Sequence, residues 1–330
     1  MQKKHFIGID VSKLTLDCHY HQGTLPVLTV DNKNSGFKVF FKWIKKEISK
    51  TADDVMIVME YTGFYTYELE LFLCNHGLGY CKKPALDIKR SSGMIRGKSD
   101  KADAKMISRY GWLRKDELKE CKPTSDTQLE LQQLMTFRDK LVADKASYQT
   151  RTVEMGKQLN RKLSKTVKTG SNHIVKLLET EIMEIESAIK NLLKKDEQLN
   201  QNYNLTISVT GIGFATAIHF LIATDNFTKF ETYRQFACYC GVAPFEHKSG
   251  TSIRGKTKTS KLANKKLKSL LTLAAMSAIQ HDEGLKQKYQ QKIKEGKPKM
   301  LAINIIRAKL IERIFTVLKR QSEYIIQKAA

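Results

Sequence analysis

The sequence predicts an α/β domain followed by a long helical segment and a mainly helical, basic C-terminal region. Three observations carry the prediction. Apolar runs of strand length alternate with helical stretches up to about residue 120. From about 125 to 200 there is no proline, only two glycines (Gly156 and Gly170), and helical periodicity runs long. Beyond 200 the chain is mostly helical in pattern and rich in lysine and arginine. With 330 residues, 41% of them hydrophobic, there is room for two or three domains and a sizeable core. The changes in pattern divide the chain at 1–122, 123–200 and 201–330.

Taken in order, Phe6-Ile7-Gly8-Ile9 is a short apolar strand ending at Asp10, and the run to Tyr20 reads as an antiparallel partner. Val55-Met56-Ile57-Val58-Met59 is a second apolar strand, ending at Glu60. Phe37 to Ile48 and Tyr65 to Asn75 have helical spacing, Gly77 stops the second helix, and Leu78 to Cys81 is a further strand. In the middle segment Val175, Leu178, Ile182, Ile185, Ile189 and Leu192 step by three and four, while Leu134, Leu141, Tyr148 and Met155 recur every seven. That seam reads equally as an antiparallel hairpin or as an intermolecular coiled coil. Further on, Gly211-Ile212-Gly213 sets a G-x-G turn between two short helices, similar to a helix-hairpin-helix unit. There, glycines let backbone amides approach a phosphate, although the same triplet also serves as a plain tight turn. Lys261 to Gln280 and Met300 to Ile325 read as two more helices, the first basic and amphipathic.

The formal net charge of +23 exceeds what solubility needs and favours a polyanionic partner, since each phosphate neutralised releases condensed counterions. The surplus is uneven: Gly241 to Ala330 carries 20 Lys+Arg against 6 Asp+Glu, a net of +14. The six cysteines show no zinc-ligand spacing and read as reduced core residues. Neither an apolar leader nor a run of ~18 apolar residues is present, so a soluble, cytoplasmic protein is expected, with no membrane partner.

The chemistry-bearing residues begin with the acids at strand ends. Asp10 closes the first strand and Glu60 the second; on neighbouring strands they emerge at one edge of the sheet. Asp100 and Asp103, in Lys98-Ser99-Asp100-Lys101-Ala102-Asp103, share a helix face at their i, i+3 spacing. Singly, each has an ordinary structural reading: a helix N-terminal acid for Asp100, a lysine partner for Asp103, a common strand-end acid for the others. As an ordered set they are a candidate metal site. Converging carboxylates raise one another's pKa values, and a divalent cation relieves that repulsion. An all-oxygen set without His or Cys favours Mg²⁺ or Mn²⁺, the ions of two-metal phosphoryl transfer. A second constellation runs from Gly241-Val242-Ala243-Pro244 to Ser249-Gly250-Thr251-Ser252-Ile253-Arg254-Gly255-Lys256, with Lys258 and Lys261 beyond. It presents a serine hydroxyl beside cations able to hold a phosphate; Ser-Gly is also ordinary turn chemistry.

Together these segments resemble the insertion-sequence transposases that carry a RuvC-like DEDD domain and a C-terminal transposase domain, relatives of the pilin-gene inverting and bridge-RNA-guided recombinases. Gly8-Ile9-Asp10-Val11-Ser12-Lys13, Glu60-Tyr61-Thr62-Gly63-Phe64-Tyr65, Lys98-Ser99-Asp100-Lys101-Ala102-Asp103-Ala104 and the serine segment match the family's four motifs in order, with Tyr61 where alanine is frequent. The resemblance implies a RuvC-like (RNase H-like) first domain and Asp10, Glu60, Asp100 and Asp103 as ligands of catalytic Mg²⁺. It implies Ser249 as a nucleophile forming a covalent phosphoserine with DNA, working in a dimer or tetramer. It also implies a structured RNA that pairs with donor and target DNA. Gly211, Gly213, Arg254, Lys256, Lys258 and Lys261 are the candidate nucleic-acid contacts. Two rival readings are a Holliday-junction-resolvase type nuclease, in which the acids activate water and Ser249 is a bystander, and a non-catalytic nucleic-acid-binding protein.

Overall fold

The structure is a computed structural model describing residues 3–91, 93, 99–158, 165–249 and 253–325, with side chains described for all of these except 158, 247–249, 253, 254 and 256. The chain forms two compact units, Met1–Thr124 and Ser125–Ala330.

The first unit is built on five strands, β1 (His5–Val11), β2 (Thr15–Tyr20), β3 (Leu28–Asp31), β4 (Val55–Glu60) and β5 (Gly79–Lys83), in the order β3-β2-β1-β4-β5. β1, β4 and β5 run parallel, while β2 and β3 fold back antiparallel. Its helices are α1 (Asn34–Glu47), α2 (Tyr67–Asn75), α3 (Ala85–Ser91) and α4 (Asp100–Leu113). Period-two alternation splits the central strands between two cores. Ile7, Ile9, Ile57 and Met59 pack with Phe37, Phe40 and Ile44 of α1 and Leu69 and Leu73 of α2. Phe6, Met56 and Val58 point the other way, onto Ile88 of α3 and Ile107 and Tyr110 of α4. Burial on both faces explains why Val55–Met59 is a continuous apolar run and not an alternating one. Each such side chain contributes about 1.5–3 kcal/mol on leaving water. β3 carries no sequence signal, because only Val30 of its four residues is buried.

The second unit opens with α5 (Asp126–Gln158) and α6 (Lys165–Lys195), which pack side by side. Arg138 pairs with Glu186 (2.7 Å), Lys145 with Glu179 (3.6 Å) and Thr152 with Ser171 (2.5 Å); one set of numbers rises as the other falls, so the helices are antiparallel. Leu131, Met135, Ile189, Leu192 and Leu193 form their core with Ile218 and Leu221 of α8 (Phe214–Thr224). The seam stays buried through Leu141 and Ile182, whereas Tyr148 and Met155 are exposed. Around α8 stand α7 (Glu197–Ser208), α9 (Tyr233–Tyr239), β6 (Pro244–Ser249), β7 (Ile253–Thr259), α10 (Lys265–His281), α11 (Glu283–Lys294) and α12 (Lys299–Arg320). Phe220, Phe236, Leu271, Ala275, Ile306, Leu310 and Ile314 fill the core of these helices. Pro244–Ser249 and Ile253–Thr259, for which the sequence pattern predicts no strands, pair antiparallel. Lys261 falls before α10 instead of within it, because the Asn264 side chain caps the helix by accepting from the Leu267 amide. Among the described residues no helix is long and apolar enough to cross a membrane.

Candidate active site

β1 and β4 are parallel with Ile9 opposite Met59, so Asp10 and Glu60, one residue further on, leave the sheet at the same level. Both sit on the face that carries Phe6, Gly8, Met56 and Val58, the face covered by α4. The contact with α4 is close enough to demand glycine on each side. A Cβ on Gly8 would lie 2.2 Å from the Ser108 nitrogen and 2.5 Å from the Ala104 oxygen, and one on Gly111 would lie 2.7 Å from a Val58 methyl. These contacts also fix the direction of the helix. Gly111 lies near Phe6 and Val58, while Ser108 and Ala104 lie near Gly8, so α4 runs opposite to β1. Its N-terminal turn, with Asp100 and Asp103, therefore reaches the strand ends where Asp10 and Glu60 emerge. The Ser99 hydroxyl caps that turn by accepting from the Ala102 amide at 3.2 Å.

The electrostatics agree with that placement. The Asp10 carboxyl is pushed up to about 6, first by partial burial and then by the negative charges of Asp103, Asp100, Glu60 and Asp17. Asp103 and Glu60 are half-buried and Asp100 is exposed, so the group opens to solvent on the Asp100 side. Two further residues escape the sequence reading. Asp17, buried in β2, stands directly across from Asp10 and accepts from the Thr29 hydroxyl at 2.5 Å. His19 lies opposite Gly8, with Nδ1 2.7 Å from the Ser108 hydroxyl, and its pKa is lowered by burial and by Lys105. Both are placed by the cross-strand register of β1 and β2; the sequence indicates that the two strands pair but not in which register. Beyond Glu60 the aromatic rings of Tyr61, Phe64 and Tyr65 are each about half exposed.

Asp10, Glu60, Asp100 and Asp103 share their charge with no basic partner: none of them is in an ion pair among the described residues. Two residues beyond Glu60, the Thr62 hydroxyl is buried without a hydrogen-bond partner among the described residues. Oxygen donors, and carboxylates without an ion pair among the described residues, fit a hard divalent cation. As the side chains stand, no three His, Cys, Asp or Glu among the described residues are gathered into a ligand shell, so a cation would have to draw these acids inward.

The remaining candidates belong to the second unit. Ser249 ends β6 and pairs in register with Ile253 of β7; its side chain, with those of Arg254 and Lys256, lies outside the described ones. Lys258 is exposed on β7 and Lys261 is exposed in the turn before α10. Gly211, at φ +92°, is pressed on α10: a Cβ there would lie 2.5 Å from the Ala274 oxygen, so packing alone requires the glycine. Gly213, by contrast, faces open space at the N-cap of α8, which has no side-chain cap.

Comparison with known proteins gives these features a context. A family model described as a transposase, of the DEDD type named for IS110, matches residues 7–160 and so takes in all four acids. A second, described as "Transposase IS116/IS110/IS902 family", matches residues 203–290 and takes in the β6–β7 hairpin. The pilin gene-inverting proteins of Moraxella bovis and Moraxella lacunata are each 26% identical to the chain over 325 residues, covering 97% of it and 98% of theirs. A 43.6 kDa protein of the insertion element IS110 from Streptomyces coelicolor is 29% identical over 117 residues, 36% of this chain and 29% of that protein. The class is that of the transposases and DNA invertases, enzymes that cleave and rejoin DNA, and one whose acid set implies use of a divalent metal. Within that class, the chain belongs to the IS110 family of transposases.

Proposed function

We propose that the chain moves an insertion sequence by cutting and rejoining DNA with two groups: a Mg²⁺ site, also open to Mn²⁺, made by Asp10, Glu60, Asp100 and Asp103, and Ser249 as nucleophile. The single observation behind the acid site is the Asp10 carboxyl, pushed up to about 6 by burial together with the charges of Asp103, Asp100 and Glu60. When bound, such a cation withdraws charge from the attacked phosphate and favours the ionised form of the attacking oxygen. The chain's own residues do the rest. The Ser249 oxygen bonds to phosphorus, the strand's ester oxygen departs with the proton the serine gives up, and the strand is held as a phosphoserine ester. Rejoining reverses the exchange with a new hydroxyl, conserving the phosphodiester bond energy that hydrolysis would discard. Ser249's position at the end of β6, followed by Arg254, Lys256, Lys258 and Lys261, supports a phosphate held by cations at the hairpin. The open N-terminus of α8 at Gly213 supports a second backbone phosphate contact, in a helix-hairpin-helix manner, with Gly211 forming the turn.

The reading extends to partners. A net charge of +23 supports binding of RNA as well as donor and target DNA, with base pairing in a structured bridge RNA choosing the sites. The apolar residues left exposed along α5 and α6, Tyr148, Met155 and Met183 among them, support a coiled coil between copies in a dimer or tetramer, working in the cytoplasm. On this reading 1–122 is the RuvC-like domain, 123–200 the assembly segment and 201–330 the serine domain. The test is to run the reaction with Mg²⁺ on a nicked substrate that cannot religate, then map protein–DNA adducts by mass spectrometry. A DNA-linked Ser249 peptide, lost in Ser249→Ala and kept in Ser252→Ala, is expected. Cleavage by Ser249→Ala that leaves a free 5′-phosphate and no adduct would make the enzyme a water-activating nuclease.

A further inference from the structure

Away from the acids, the first unit brings together two cysteines that stand 40 positions apart in the chain. Cys81 lies in β5, the edge strand of the sheet, and Cys121 lies beyond α4. The Cys121 amide donates to the Tyr80 carbonyl at 2.7 Å, and the Lys82 amide donates to the Cys121 sulfur at 3.4 Å, so this stretch runs along the open edge of β5. Cys121 packs against the apolar cluster that contains Cys81, whose thiol donates to the Lys82 carbonyl at 3.9 Å, next to the amide that donates to the Cys121 sulfur. Their exposure differs: Cys81 is 2% exposed, whereas Cys121 is only half-buried.

Their acidity differs too. The neighbouring Cys81 thiol lowers the Cys121 thiol, burial opposes this, and the Lys82 amide and ammonium lower it further against the Glu70 carboxylate. The neighbouring Cys121 sulfur, with burial, raises Cys81 despite Lys83. A half-buried sulfur inclined to be a thiolate thus stands beside a buried one that keeps its proton. In thiol–disulfide exchange those are the attacking and the resolving roles.

We propose that Cys81 and Cys121 form a thiol-modification site at which Cys121 attacks a small disulfide of the glutathione type and Cys81 resolves the adduct into an internal Cys81–Cys121 disulfide. The Cys121 thiolate bonds to one sulfur of the small disulfide and expels the other as a thiolate. Cys81 then loses its proton, and its sulfur displaces the bound small thiol from Cys121. Two protein thiols are oxidised by two electrons and one small disulfide is reduced to two thiols. The new bond closes a loop that contains α3 and α4, tying the helix with Asp100 and Asp103 to the strand beside β4. Cys74, exposed on α2 and raised by burial and by Glu70 and Glu120, serves as an internal comparison.

To test this, the full-length reduced protein is incubated with glutathione disulfide between pH 5 and 9, the remaining thiols are alkylated, and cysteine peptides are mapped. A Cys81–Cys121 cross-linked peptide is expected in the wild type. Its rate of formation should rise less steeply from pH 7 to 9 than that of an ordinary thiol, which gains roughly 20-fold. Cys81→Ser should trap glutathione on Cys121, and Cys121→Ser should leave Cys81 unmodified; the wild-type cross-link stands as a test whether or not these variants fold. Two results would overturn the proposal: both cysteines alkylated while Cys74 carries glutathione, or glutathione accumulating unresolved on wild-type Cys121.

Discussion

Asp10 in the first unit and Asp139 in the second are both half-buried aspartates, and their surroundings drive them in opposite directions. Asp10 sits among Asp103, Asp100, Glu60 and Asp17 and is pushed up to about 6. Burial pushes Asp139 the same way, but hydrogen bonds from His219 (3.0 Å) and Lys266 (2.8 Å) win, and its carboxyl is held down at about 2. Asp139 joins α5 to α8 and α10 and is satisfied by what the chain itself supplies. Asp10 has no ion-pair partner among the described residues, which is how an acid awaiting an external cation looks. Burial alone therefore does not set the acidity of these two aspartates; the sign of the neighbouring charge does.

The largest expected effect breaks that contrast on the Asp10 side. Asp10→Asn, Glu60→Gln, Asp100→Asn and Asp103→Asn should each cut DNA strand cleavage by more than about 100-fold, since loss even of a residue that only supports a metal ligand costs 10–100-fold. Gel-shift affinity for DNA should stay within a few-fold, and full recombination by any two of these variants would remove the metal-site assignment. On the other side, Asp139→Asn should leave the acid site intact but destabilise the second unit by about 1.5–3 kcal/mol, because it removes charge-assisted hydrogen bonds, read by urea denaturation. That stability belongs to an acid with a depressed folded pKa. It should therefore be present above about pH 4 and be lost as pH falls toward 2.

Much of this contrast is legible in the sequence and part of it is not. Asp10 and Glu60 are readable because each ends an apolar run buried on both sheet faces, and a parallel neighbour pairing sets them level. Asp100 and Asp103 are readable from their spacing and the Ser99 cap. Asp17 and His19 are not, because they owe their position to cross-strand register, which shows as weak alternation in Thr15–Tyr20. The hairpin carrying Ser249 is hidden because Pro244–Ser249 and Ile253–Thr259 are polar, and Pro244, Phe245 and Glu246 do not form a buried face that marks a strand. Gly211 stands out in the sequence for a phosphate turn, yet the close approach it permits is to α10.

Smaller effects sharpen the comparison. Without metal, Asp10→Asn should raise the melting temperature by a few degrees, since it removes repulsion the fold must absorb. The same sign appears in pH. A carboxyl whose folded pKa is raised destabilises the ionised fold, so the metal-free wild type should gain stability as pH falls from 7 through 6, and the gain should vanish in Asp10→Asn. Smallest is the salt dependence of binding. Neutralising Arg254, Lys256, Lys258 and Lys261 together should flatten the log–log slope by roughly 0.7–0.9 for each phosphate no longer neutralised. An unchanged slope would mark them as solvated surface.

The direct test of the central claim is the titration of Asp10 itself, followed by its carboxyl carbon in selectively ¹³C-labelled protein with and without Mg²⁺. The account predicts a midpoint near 6 in the metal-free chain, falling below the ordinary aspartate value of about 4 at saturating Mg²⁺, where proton and cation compete for the same oxygens. A midpoint near 4 that Mg²⁺ does not move would contradict it.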